Sequence, residues 1–367
     1  MMMLTNRLGS LNAVAQSFPS PFWKSFIQGK PPSADTIGRV MELMSTESLR
    51  GILKEVYARI RRNKTALRTI AGLQVLVLDG HESHASCRRK CSGCLERTIK
   101  TKNGEHTEYY HRHVLAILLM PGGCLLLDVE AQKSGEDEVA VAVRLLSRLL
   151  VVYPRAFDVV IADALYARAG FFNFLTKHGK QAMAVLKNED RHLVRDAEGL
   201  YTLSPSITLT EGNVIRTISD IEELTSWEGV EGPVRVIRSV ERLRVKRQRS
   251  KTVEETERTW WWVTTIPVSL LPTAAAVELG HARWCVENQG FNETVNHWHA
   301  DHIYKHAADA ILNFHLMMML VYNLFHQFIH RNLKPALTRI VSKSHISRLM
   351  LSELLQENFS PLSLDTT

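Results

Sequence analysis

The stretch LQVLVLDGHES, residues 73 to 83, decides the fold. Five of its first six side chains are apolar, and the run then meets Asp79 and Gly80. Such a run reads as a buried strand that delivers a carboxylate at its end. Working outward, HVLAILLM (113–120), a Pro121-Gly122-Gly123 turn and CLLLDVE (124–130) read as two more strands. GEDEVAVAVRLLSRLLVVY (135–153) reads as an amphipathic helix with acids in its first turn, which suits the helix dipole. The short strand FDVVIAD (157–163), the helix ALYARAGFFNFLTKHG (164–179) and the strand QAMAVLK (181–187) follow. Three strands in meander, then helix, strand, helix, strand, predict an α/β ribonuclease H-like core with a mixed sheet.

The flanks divide the chain further. Residues 1–33 carry Pro19, Pro21, Pro31 and Pro32 and read as an irregular leader, followed by two helices in a helical N-terminal region over 1–65. The core's first part spans 66–199. A β-rich insertion is expected over 200–267, from NVIRTIS, VRVIRSVERLRV and TWWWVTTIP. The core resumes over 268–335, and a helical tail closes the chain over 336–367. ILNFHLMMMLVYNLFHQFI (311–329) is the most apolar run, but Asn313, His315, Asn323, His326 and Gln327 interrupt it, so it reads as a core helix and no membrane partner is expected.

Of 367 residues, 45 are Lys or Arg and 38 Asp or Glu, a formal charge of +7 that favours an anionic partner such as nucleic acid. Five cysteines, an odd number, with three of them crowded together, argue against a secreted disulfide framework. No signal-peptide core is evident at the N-terminus, so a cytoplasmic protein is expected.

Asp79 and Asp163 end strands that are neighbours in a ribonuclease H order. Two carboxylates held side by side repel unless a cation neutralises them, so the pair reads as a Mg²⁺ site. Glu82, Asp128, Glu130, Glu136, Glu287 and Glu293 could each supply a third acid. Arg283 lies four residues before Glu287, on the same helical face, and a guanidinium there suits a phosphate, which favours Glu287. Singly, each residue has a plain structural reading: Asp79 as a turn residue, Asp163 as a helix cap, Glu287 as one half of a surface ion pair.

LDGHE, VVIADALYARAGFFNFL, AVLKNEDRHLVRDAEGLY and RWCVENQGFNETVNHWHADHIYKH together resemble the blocks of DDE transposases of bacterial insertion sequences. The resemblance covers roughly residues 34–335. It is to the insertion-sequence-four type, in which a β-strand insertion precedes the third acid. It implies that Asp79, Asp163 and Glu287 are catalytic acids binding Mg²⁺ or Mn²⁺, for strand cleavage at transposon ends and strand transfer of the 3′-hydroxyl. It further implies double-stranded DNA, terminal inverted repeats and target, as partner, a homodimer on that DNA, and a bacterial nucleoid-associated location. The family's Tyr, Arg, Glu, Lys signature is matched at Arg283 and Glu287, whereas Gly280 and Thr294 stand at the Tyr and Lys positions; Lys305 or His297 would substitute. A nuclease of the same fold without strand transfer, and a non-catalytic DNA-binding derivative, remain as alternatives.

Two further clusters stand out. HESHASCRRKCSGC (81–94) offers Cys87, Cys91 and Cys94 in one loop, which with one His, taken as His84, would complete a structural Zn²⁺ site. His81, His106, His111 and His113 lie close by, and free thiols in a basic loop are the alternative. Between Arg235 and Lys251 eight basic residues face one acid, so Arg242, Arg244, Lys246 and Arg247 are expected to contact DNA phosphates from a β-ribbon, as are Arg283 and Lys305. A solvated charged hairpin is the plain alternative. Trp227 is a candidate for base stacking, whereas at least two of Trp260, Trp261 and Trp262 are expected in the core. The helix carrying Arg59, Arg61 and Arg62, with Lys64 beyond it, is a candidate reader of the terminal repeat. His299, His302 and His306 fall at helical spacing and are read as polar packing.

Overall fold

In a computed structural model the chain is described over residues 9–20, 23–24, 27–62, 69–102, 104–120, 123–187, 192–246, 253–286, 290 and 292–355. Among these, three helices come first: α1 (Leu11–Ser17), α2 (Ala34–Leu43) and α3 (Thr46–Arg62). α1 lies where an irregular leader was expected. Ser10 caps it by accepting from the Ala13 N–H at 3.0 Å, and Pro19, the first proline of the segment, follows its last residue in the chain, where it interrupts no helical hydrogen bond.

The central elements then run β1 (Thr69–Ile70), β2 (Leu73–Ser86), β3 (Leu95–Thr101), β4 (Gly104–Met120), β5 (Gly123–Ala131), α4 (Glu138–Val152), β6 (Val159–Ala162), α5 (Ala169–Lys177), β7 (Gln181–Val185) and α6 (His192–Tyr201). Four longer-range strands, β8 (Ile207–Glu211), β9 (Val214–Leu224), β10 (Val234–Lys246) and β11 (Val253–Thr264), precede α7 (Thr273–Val286), α8 (Asn292–Trp298), α9 (Ala308–Asn332), α10 (Pro335–Ile340) and α11 (Lys343–Leu355).

Read from β5, the sheet runs β5-β4-β2-β6-β7, antiparallel on the meander side and parallel from β2 through β7. That is the ribonuclease H order the sequence predicts. β11 pairs antiparallel with β7, so the strands of the 200–267 segment continue the same sheet through β11-β10-β9-β8. One difference concerns β2, which does not stop at Asp79. β6 ends at Ala162, but β4 goes on pairing with β2 from Gly80 opposite Val114 to Ser86 opposite Tyr109, and this holds the polar residues 81–86 extended. β3, a strand inside the expected loop, pairs with the first half of β4.

Side chains alternate across the sheet and feed two cores. Val75 and Val77 join Leu115, Ile117 and the buried face of α9, whereas Leu76 and Leu78 join Ala116, Leu118 and the leucines of α4. α9 is long and apolar enough to cross a membrane by length and composition, yet here most of it is enclosed by protein. Its polar interruptions serve the packing. Asn313 donates to the Met41 and Met44 carbonyls at 2.9 and 2.8 Å, and Asn323 both donates to and accepts from the Leu126 backbone. Buried Asp128 and Glu130 are neutralised by Arg50, Arg144 and Arg148, which tie α3 and α4 to β5.

Candidate active site

The parallel register of β2 and β6 places Val75, Leu76 and Val77 beside Val159, Val160 and Ile161. Asp79 lies two residues beyond Val77 on β2, and Asp163 two residues beyond Ile161, the first residue past the end of β6. Asp163 also caps the 3₁₀ turn Ala164–Tyr166, accepting from the Leu165 N–H through Oδ1 at 2.9 Å. The Arg283 Nη1, projected from α7, lies 3.9 Å from the Asp79 Oδ2, and both side chains are partly shielded, 15% and 21% exposed.

Tyr166 reports on the same place. Its phenol is pushed well above its usual range by burial, then by the charge and hydrogen bond of Glu138, and by the charges of Asp79 and Asp163. Glu138 touches this buried hydroxyl, and the negative charges of Asp79 and Asp163 also act on it. Glu138, in the first turn of α4, accepts from the Tyr166 hydroxyl at 2.9 Å and lies 3.1 Å from Arg112. A Cβ on residue 80 would fall 2.6 Å from the Glu138 Oε1, so the glycine after Asp79 is what lets this carboxylate approach the strand. Sequence reasoning assigned Glu138 only to the helix dipole. The available signal was the bare Gly80 beside the first acid.

The other acids considered for the third position have these partners. Glu82 is paired with Arg97 at 2.7 Å, Glu136 with Arg144 at 2.7 Å, and Glu293 with His326 and Lys343, each at 2.9 Å. Asp128 and Glu130 belong to the arginine network on β5. Glu287 lies outside the described residues; α7, which carries Arg283, is described to Val286.

Departures from the expected signature have local causes. A Cβ on Gly280 would lie 2.5 Å from the Trp262 Nε1 and 2.8 Å from its Cδ2, so the indole occupies the space a larger side chain would need. Thr294 is buried at 1% exposure in α8. His297 is exposed, and the stem of Lys305 packs toward Gly38 of α2, in a groove with Ser10, Asp35 and Tyr304.

The cysteine cluster forms, with different partners. Sγ of Cys91 and Cys94 and Nε2 of His111 and His306 lie within 4.8 Å of one another. Cys87 is exposed and outside this group, and the His84 side chain lies outside the described residues. His306 is not on a helix with His299 and His302: it sits in the connection between α8 and α9, which frees it to reach the cysteines instead of packing.

On the ribbon, the register brings acids of β11 opposite the basic residues of β10. Arg242 pairs with Glu257 at 2.8 Å and Arg244 with Glu255 at 3.3 Å. Arg235 is buried on Asp220 and the Leu271 carbonyl. Arg238 lies over the rings of Tyr201 and Trp261. Lys246 ends β10, with its side chain outside the described residues, as is all of Arg247. Trp227 packs edge-on against Phe172, with ring centroids 4.9 Å apart, at the margin of the core, and Trp261 and Trp262 are buried in opposite cores.

No curated protein matches the chain. Among solved structures, a piggyBac transposase synaptic complex with hairpin DNA is similar at 9% sequence identity and a TM-score of 0.47, covering 99% of this chain and 71% of that one. The transposase DDE domain family matches residues 71–324, well over half of the chain and a span that includes Asp79, Asp163 and Arg283. By this match, the chain belongs to the family of transposases with a DDE domain.

Proposed function

We propose that this protein is a transposase of the insertion-sequence group with a β-strand insertion before the third acid, cutting DNA at transposon ends and joining the freed end to target DNA. The observation that supports the reading is the parallel β2/β6 pairing, just beyond which Asp79 and Asp163 both fall in the chain, with the Arg283 Nη1 3.9 Å from the Asp79 Oδ2. Asp79 and Asp163, with Glu287 one turn beyond Arg283 in sequence, would hold Mg²⁺ or Mn²⁺. The fit rests on the chemistry of these like-charged carboxylates, a donor set of hard oxygens suited to such ions. When bound, the ions activate the attacking oxygen and stabilise the leaving one.

The chain's own part is positional. β2 carries Asp79, the cap bond of Asp163 to the Leu165 N–H would orient the second carboxylate, and Arg283 would bind a non-bridging phosphate oxygen. In the first step the oxygen of water bonds to phosphorus while the P–O3′ bond breaks, leaving a 3′-hydroxyl and a 5′-phosphate. In the second, that 3′-oxygen bonds to a target phosphorus and gives up its proton, while the target P–O3′ bond breaks and the leaving target 3′-oxygen takes up a proton as a new 3′-hydroxyl. Arg242, Arg244, Lys246 and Arg247 would add phosphate contacts along the ribbon, and two protomers would act on paired ends, on nucleoid DNA in the bacterial cytoplasm.

A strand-transfer assay with pre-cut ends and Mg²⁺ tests this. Joined product is expected from the wild type and none from Asp79→Asn, Asp163→Asn or Glu287→Gln proteins that remain folded. Released fragments without joining would mark a nuclease. Product formation unaffected by Asp79→Asn would sink the catalytic reading and leave a DNA-binding protein.

A further inference from the structure

The geometry assigns a structural zinc site to Cys91, Cys94, His111 and His306. The two sulfurs are 3.7 Å apart, Cys91 Sγ and Cys94 Sγ lie 3.3 and 3.4 Å from the His111 Nε2, and Cys94 Sγ lies 3.3 Å from the His306 Nε2. A tetrahedron with zinc–sulfur bonds of about 2.3 Å and zinc–nitrogen bonds of about 2.0–2.1 Å has edges of roughly 3.8 Å between sulfurs and roughly 3.6 Å between sulfur and nitrogen. The measured separations approach those edges. Two thiolates and two imidazoles are a soft donor set that selects zinc over the hard ions the carboxylates suit, and four protein ligands close the shell, so the role is structural. Binding displaces the two thiol protons to solvent.

The local chain is shaped for this turn. The Cys91 N–H points to the Cys94 Sγ at 3.2 Å, and the Cys94 N–H donates to the Cys91 carbonyl at 3.2 Å, which folds the Cys-x-x-Cys segment back on itself. At Gly93 a Cβ would come 2.7 Å from the Ala308 Cβ, so the turn is pressed onto the first residue of α9. His111 is buried in β4, opposite Ser83 of β2.

What the ion would join follows from where the ligands lie. Cys94 and His306 are 212 residues apart, one in the excursion between β2 and β3, the other just before α9. Zinc there would staple the far half of the β2/β4 pair to the connection leaving α8. On β4, His111 is four residues from Leu115, the partner of Asp79, about 13 Å at roughly 3.3 Å per residue. The staple thus braces the strand that carries the first acid against the chain segment that follows the Arg283 helix.

The inference does not depend on transposition, and its test needs no DNA. Full-length protein purified without chelator should carry about one zinc per chain by mass spectrometry. Cys87→Ser should retain it, whereas Cys94→Ser and His306→Ala should lose most of it. Cobalt reconstitution should give a tetrahedral spectrum with thiolate charge-transfer bands that Cys87→Ser leaves unchanged. Should the ligand variants fail to fold, the wild type still decides: a strong zinc chelator should remove the ion and lower the thermal midpoint by several degrees. Zinc-free wild type of unaltered stability overturns the assignment, as does metal lost with Cys87→Ser and kept with His306→Ala.

Discussion

Gly280 offers a test in which two effects of opposite sign compete. In the interior of α7, alanine should gain about 1 kcal/mol over glycine from backbone entropy alone. Against that, the new methyl would sit 2.5 Å from the Trp262 Nε1. Trp262 cannot move aside cheaply. It is 1% exposed, stacks on Trp260 at 6.3 Å, and meets His281 edge-on at 5.1 Å. Overpacking of this kind costs about 1–3 kcal/mol, at the upper end for so close an approach to a rigid ring, so Gly280→Ala should destabilise by about 1–2 kcal/mol net. Gly51 is the control. It lies in α3 with nothing within 4 Å of a Cβ, so Gly51→Ala should stabilise by up to about 1 kcal/mol.

Urea unfolding followed by tryptophan fluorescence reads both. Trp262→Phe, which lacks the Nε1 and the second fused ring of the indole, should relieve part of the Gly280→Ala penalty, giving a non-additive cycle. Since Arg283 is one turn further along α7, a displaced helix should also lower activity. A Gly280→Ala protein as stable as the wild type, beside a Gly51→Ala protein that gains as expected, would refute the packing argument.

Two further outcomes follow from charge. At Glu293, burial pushes the carboxyl up, but the hydrogen bond and charge of His326, with Lys343, outweigh it and hold the pKa down at about 2 against an ordinary 4.5. A depressed carboxyl contributes stability that is present above the unfolded value and is lost as pH falls toward the folded one; here that amounts to on the order of 3 kcal/mol. The gap between wild type and Glu293→Gln should thus be full at pH 7 and close between about pH 4.5 and about 2, measured as urea midpoints, and a gap flat across that window would sink the account. On the ribbon, the Arg242–Glu257 pair is 60% and 52% exposed and contributes little to stability, so Arg242 can exchange its partner for a phosphate. Arg242→Ala should leave the unfolding midpoint in place while lowering the slope of log affinity for duplex DNA against log salt by about 0.9; an unchanged slope would take this residue off the DNA.

What could be read from the sequence was whatever depends on local pattern and strand order. The apolar runs around 75–79 and 157–163, with their intervening helix, suffice to make β2 and β6 parallel neighbours, as the register shows. What could not be read depends on partners far along the chain. β2 continues to Ser86 because β4 pairs with it, not because residues 81–86 are apolar. His306 completes the cysteine cluster from 212 residues away. The charge of the basic ribbon is offset by Glu255 and Glu257, and only the β10/β11 register reveals which acid meets which base. The tryptophan run follows the same rule in reverse: β11 lies between β7 and β10, covered on both faces, so consecutive residues Trp261 and Trp262 are both buried, one in each core.

Asp163 shows why a plain structural reading and a functional one need not compete. Its Oδ1 accepts from the Leu165 N–H, as a helix cap does. That bond uses one of a carboxylate's two oxygens and restricts the plane of the group, which directly follows the last residue of β6. A carboxylate left to rotate at the end of a strand would spend part of its time turned away from its neighbour. The cap removes that freedom before any ion or phosphate arrives, and the ordering entropy is met during folding rather than at binding. Gly80 and Glu138 act on the other acid in a related way: the missing side chain admits a buried, doubly bonded carboxylate against β2, so the backbone that carries Asp79 is held from the α4 side as well.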